Sequence, residues 1–265
     1  MTAEAPDRPR RRGVWIALAA VTALVVVTPV VPVALGRAVE RTSSSVTPYR
    51  HAIRELRLDM AGAGVSVGPA PDGEARVRRD LRWGLSRPDV TESLVGDVLV
   101  VTFRCAGRDV LGGGCGADID VRVPVGTRVS AVSGSGDINV RGLTGDLDLR
   151  TGSGAIGVDG ARGRLLLRAR SGSIRATGLT SPRTRARVSS GSLDLRYAEP
   201  PRAVDASADS GTAKIIVPPG TRYDVLAWAA SGATHLNRAV IDPHSSRSIS
   251  LHTRSGTAYI DDHDD

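Results

Sequence analysis

A chain of 265 residues is long enough to bury a sizeable core, yet only 3% of it is aromatic and Phe103 is its single phenylalanine. A core built from Val, Leu, Ile, Ala and Thr points to thin, regular layers and away from an aromatic-rich globular enzyme. The net charge of +7 rests on arginine, Lys214 being the only lysine; it suits an anionic partner, and without interleaved aromatics it does not suit nucleic acid.

Residues 1–12 form a polar tail holding Arg8, Arg10, Arg11 and Arg12, and residues 13–35 carry no charge at all. Such a span is long enough to cross a bilayer as one helix. The arginines before it outnumber Arg37 and Arg41 behind it, which predicts a cytoplasmic N-terminus and a C-terminal part outside the plasma membrane of a bacterium. Ala34-Leu35-Gly36 is also a small-x-small cleavage site, so a cleaved signal peptide is the alternative to a signal anchor. Residues 36–49 read as a linker.

From residue 50 onward no convincing helical period appears. Residues 50–127 hold strand-like LRLDM, GDVLVVTFR and ADIDVRVP, an irregular β region expected to form the N-terminal part of the same stack, as first coils or a cap. Cys105 and Cys115 flank a glycine-rich stretch within it. With no histidine nearby they make a poor zinc site, and in an oxidising compartment they are expected to close a disulfide. Gly64–Gly68 fits G-x-S-x-G, but Val65 and Val67 alternate as in a strand, and Pro69 and Pro71 forbid the helix a nucleophile elbow needs.

Residues 128–262 contain a repeat. Ser-Gly pairs place a glycine at 136, 154, 172, 191, 211, 232 and 256, with steps of 18, 18, 19, 20, 21 and 24. Two and four residues after each glycine, and five and seven before it, the positions are almost all apolar, as in Leu147, Leu149, Ile156 and Val158. Period-2 alternation on both sides of a glycine turn predicts two short strands per unit, meeting at a corner. Stacked units make an all-β fold: a single-stack β-solenoid, β-helix or β-roll in kind, of about seven Ser-Gly-cornered coils, preceded by one transmembrane helix.

The repeat absorbs the remaining motifs. Gly152–Gly157 matches G-x-G-x-x-G, but its glycines lead into a strand and no acid stands between Gly160 and Leu193, so no dinucleotide site is expected. Ser153-Gly154 is the second corner, and Gly152 reads as incidental. The aspartate slot of Asp137 is refilled by Ala155, Ser173 and Ser192, which rejects a calcium roll. The acidic end, with Asp261, Asp262 and His263, reads as a frayed tail. No metal, cofactor or catalytic residue is therefore expected.

The outward columns are more informative. Four residues before successive corners stand Arg150, Arg168 and Arg187; Arg164, Arg170, Arg183 and Arg185 share their face, and residues 160–193 contain no acid. Like charges on neighbouring strands repel. A phosphate- or carboxylate-bearing partner relieves that cost; a solvated, screened edge is the alternative. Leu226 and Trp228 also point outward, either beneath a loop from 237–247 or as an apolar docking patch.

The order of anchor helix, irregular β region, a strand ending Val123-Pro124-Val125-Gly126 and serial Ser-Gly turns resembles the bacterial "putative adhesin" β-strand-repeat domains. These are domains of unknown function, similar to head domains of auto-transporter adhesins, and Ile216-Val217-Pro218-Pro219-Gly220 suits the same pattern. The likeness spans roughly residues 50–262. It implies a non-catalytic binding, adhesion or scaffold module facing an anionic cell-wall polymer, a lipid headgroup or an acidic protein. An envelope-stress or signalling accessory acting through a membrane partner is the alternative. A polysaccharide-active enzyme would need clustered carboxylates, whereas Asp146 and Asp148 are followed in their columns by Arg164 and Leu166.

Overall fold

The computed structural model describes residues 16, 18, 21, 22, 41–84, 86–105 and 115–263. The expected cytoplasmic tail and nearly all of the expected membrane span lie outside the described residues, as does the glycine-rich stretch between the cysteines. Among the described residues no helix is long and apolar enough to cross a membrane.

From residue 41 onward the described chain is all β, with one short 3-10 turn at Arg238–Val240; residues 16, 18, 21 and 22 are helical. The strands in order are β1 (Arg41–Tyr49), β2 (Glu55–Met60), β3 (Gly64–Pro69), β4 (Ala75–Trp83), β5 (Asp89–Val95), β6 (Val98–Arg104), β7 (Gly116–Val123) and β8 (Arg128–Ser133). There follow β9 (Ile138–Arg141), β10 (Leu147–Thr151), β11 (Ile156–Asp159), β12 (Leu165–Leu179), β13 (Arg183–Tyr197), β14 (Ala203–Ile216), β15 (Asp224–Leu236) and β16 (Ser248–Asp261). All join one sheet that folds over at the corners and curls around its core.

The predicted repeat is present in register. Val129, Leu147, Leu165, Thr184 and Val204 lie side by side in parallel strands, as do Ile138, Ile156, Ile174, Leu193 and Ala213 across the corner. These inward columns are almost completely buried, and each large aliphatic side chain contributes about 1.5–3 kcal/mol. From β12 onward a single strand runs through the corner.

Glycine is required at the corner for two reasons. At Gly191 φ is 138°, outside the range an L side chain adopts readily. A Cβ there would also lie 1.9 Å from the carbonyl oxygen of Gly172 in the coil beneath. The seven corner glycines thus stack as one column in which each seats on the next. Gly152 is not incidental: a Cβ on it would meet the Gly134 carbonyl oxygen at 2.4 Å, so a second, shorter glycine column adjoins the first.

Three points correct or add to the expected arrangement. Residues 41–49, assigned to a linker, form β1, which pairs antiparallel with β4. Its Ser- and Thr-rich sequence has the polarity of a linker but also the β-preference of an edge strand. Second, β2–β3 and β6–β7 add to the seven Ser-Gly-cornered coils, stacking parallel on them with corners of their own, nine coils among the described residues. Cys105 and Cys115 form a disulfide that closes the β6–β7 corner where the other coils use glycine. Third, stacking does not follow chain order at either end. β2–β3 lies between β6–β7 and β8–β9, and β16 inserts between β14 and β15. The long connection after β15 makes that reversal sterically open, and apolar content decides it. Ile249, Leu251 and Ile260 of β16 are at most 1% exposed, while the smaller inward residues of β15, such as Ala227, stay half-buried at the end.

An arginine notch on the outer face

In-register pairing aligns Val132, Arg150, Arg168, Arg187, Ser207, His252 and Trp228 in one outward column, one strand spacing apart. Two residues nearer the corner, Gly134 and Gly152 precede Arg170. Two glycines in succession leave no side chains there, and an open notch of about 500 Å³ results, bounded by Arg150, Arg168, Arg170, Arg187, Thr151 and Ser189. No carboxylate lines it.

The predicted arginines do not behave alike. Arg150 is bound bidentately by Asp148, two residues earlier on the same face of the strand, with Nη2–Oδ2 at 2.7 Å. Arg185 pairs at 2.9 Å with Asp205, which stands opposite it in register. Arg187 donates its Nε to Ser207 Oγ at 3.1 Å. Among the described residues the side chains of Arg168 and Arg170 make neither an ion pair nor a hydrogen bond, and both residues are exposed. The expected ladder of unrelieved arginines therefore narrows to Arg168, Arg170 and the free end of Arg187. Asp148 was readable as a partner from its i–2 spacing; Asp205 needed the register.

A second groove of about 810 Å³ on the same sheet half holds both signs of charge. Arg164 holds Asp146 at 2.7 Å, and its hydrogen bond keeps that carboxyl below the ordinary carboxylate range. In this groove Asp146 and Asp205 each hold an arginine, whereas no carboxylate lines the notch.

Leu226 and Trp228 are 61% and 47% exposed. The segment after β15 does not cover them; it packs at the base of the coil, where Tyr223 bonds through its backbone to Val240 and Asp242. Trp228 instead faces His252, ring centroids 5.3 Å apart and tilted by 47°, and His252 Nε2 lies 2.7 Å from Ser250 Oγ. Chain order also makes His252 and Trp228 neighbours, but it sets His252 outermost, whereas the structure places Trp228 at the end of the column. Asp261 is not frayed either. Asn237 Nδ2 donates to it at 2.8 Å and to Asp262 at 2.7 Å, and with Tyr259 holds the Asp261 carboxyl well below its usual range. Both carboxylate oxygens of Asp261 and Oδ1 of Asp262 are thus engaged by neighbouring side chains.

An inward-facing polar cluster was also missed. Arg79 Nε meets Glu92 at 3.1 Å, Tyr49 donates its hydroxyl to Glu92, and Arg79 reaches Ser45 and Thr47. No sequence period marks it, since its members come from β1, β4 and β5.

Stacked parallel coils with glycine corners and an outer notch lined by arginine define an all-β repeat module. The chain belongs to the Toastrack family (DUF4097), whose model matches residues 116–261. Among solved structures, the chain is similar to a "putative cell adhesion protein" from Clostridium sporogenes at 10% identity and a TM-score of 0.40, covering 83% of this chain and 99% of that one. A "putative adhesin" from Parabacteroides distasonis gives 13% identity and 0.45, covering 83% and 97%. A "putative lipid binding protein" from the same species gives 12% and 0.45, covering 82% and 96%. These likenesses are too distant to carry an argument. No curated protein matches the chain.

Proposed function

We propose that this chain is a non-catalytic binding module outside the plasma membrane, held by an anchor at residues 13–35 with its N-terminus in the cytoplasm. Its notch receives a phosphate or carboxylate group of an envelope component. The observation that carries the reading is the carboxylate-free notch in which Arg168 and Arg170 stand unpaired. Guanidinium groups bind such oxyanions bidentately, and a glycine floor lets the anion approach. General acid–base chemistry would need a titrating pair there, and the notch lining offers none.

The test is binding of polyphosphate by the full chain in detergent at two salt concentrations. Arg168→Gln with Arg170→Gln should weaken it about tenfold or more and flatten its salt dependence. Arg185→Gln, at an arginine already paired, should change it little. Equal losses from both variants would overturn the reading.

A further inference from the structure

The notch occupies only part of its column. Beyond Arg187 the column continues through Ser207 and His252 to Trp228 on the outermost strand. Guanidinium groups thus stand at one end and ring faces at the other, separated by one small hydroxyl. In-register parallel pairing makes the column straight, and Trp228 lies four strand spacings from Arg168, about 19 Å. A ligand that meets both ends is linear and runs along the stack.

We infer that the column is a track for an anionic polysaccharide, with sugar rings against the Trp228–His252 pair and carboxylate or phosphate groups in the notch. This rests on the notch reading. An indole offers a flat apolar face to the C–H side of a sugar, and Ser207, Ser250 and the His252 imidazole beside it offer hydrogen bonds to its hydroxyls. A ring-free polyanion has no use for the exposed Trp228. Single-stranded nucleic acid needs successive aromatic platforms, and this column has one. A lipid headgroup fills the notch without reaching the far end. The positive charge of the track complements the polymer's own.

The experiment measures binding of the full chain in detergent to oligogalacturonates of graded length, with polyphosphate as the ring-free control. Affinity for oligogalacturonate should rise with length until the chain spans the column. Trp228→Ala should lower affinity for the long oligomer about tenfold and leave polyphosphate untouched. Trp228→Phe, which keeps a ring and guards against a folding artefact, should recover most of the loss. No length dependence, or an unaltered long-oligomer affinity in Trp228→Ala, would overturn the track. The notch reading would then still stand if Arg168→Gln with Arg170→Gln weakens polyphosphate; it fails if that variant binds polyphosphate normally.

Discussion

At the N-terminal end the outermost parallel coil, β6–β7, is followed by antiparallel strands, β5 on one half of the sheet and β4 with β1 on the other. Their inward positions carry Arg79, Glu92 and Tyr49, joined to one another, with the Glu92 side chain only 9% exposed. At the C-terminal end no described strand pairs with the outer edge of β15. Both ends face one problem: a stack of coils must stop, and its last coil has a core face with no neighbour. One end closes with a polar network under antiparallel flaps. The other places its more apolar coil inside and leaves outermost a coil with little to bury.

The sharpest way to break this contrast is Glu92→Ala, which leaves the mostly shielded Arg79 without its carboxylate. Removing one partner of a shielded pair should cost about 3–5 kcal/mol in urea unfolding; a cost below about 1 kcal/mol would mean that the flaps do not depend on the network. At the other end Leu251→Ala should cost about 3 kcal/mol, within the usual range for a buried leucine. Val225→Ala, at a half-buried position of β15, should cost less than about 1 kcal/mol. Hydrogen exchange should agree, with β15 amides exchanging before those of β16 although β16 comes later in the chain. Equal costs would contradict the reversed order. Cys105→Ser with Cys115→Ser should remove about 2–3 kcal/mol, confined to the N-terminal end, with polyphosphate binding unchanged.

The smallest effect is on pH. Burial, then the Glu92 hydrogen bond and charge, raise the Tyr49 pKa above its ordinary value, with Arg79 opposing. The unfolded phenol loses its proton first, near pH 10, so this stability is complete below about pH 10 and is lost as pH rises beyond it. Tyr223, pushed up to about 12 by burial, acts in the same direction. Asp261 has the opposite sign: its depressed carboxyl contributes above the unfolded value of about 3.9 and loses that contribution as pH falls through the folded one. Exchange followed across pH should open β1 and β5 in alkali and the β15–β16 connection in acid. If β1 and β5 stay closed in alkali, Tyr49 does not hold the flap.

Much of the fold was legible because a strand repeat writes itself locally. Alternation marks the inward positions, and a Cβ-free residue marks the corner. The N-terminal coils were less legible because their corners use Ala61–Gly64 and a disulfide loop in place of Ser-Gly. The arginine column was found from spacing alone, but its charge state was not, since Arg185 is neutralised by a residue 20 positions away. The exposure of Trp228 was foreseen; its place outside His252 was not.

The amino-acid sequence by itself determined the repeat, its in-register columns, the face on which arginine accumulates and the pairing of two cysteines, because each follows from spacing along one chain. Tertiary structure alone decided the order of the outer coils, the polar seal at one end and which arginines remain unpaired. Those depend on competition between coils for a buried slot and on which side chains register places opposite one another. Neither is written in any single coil.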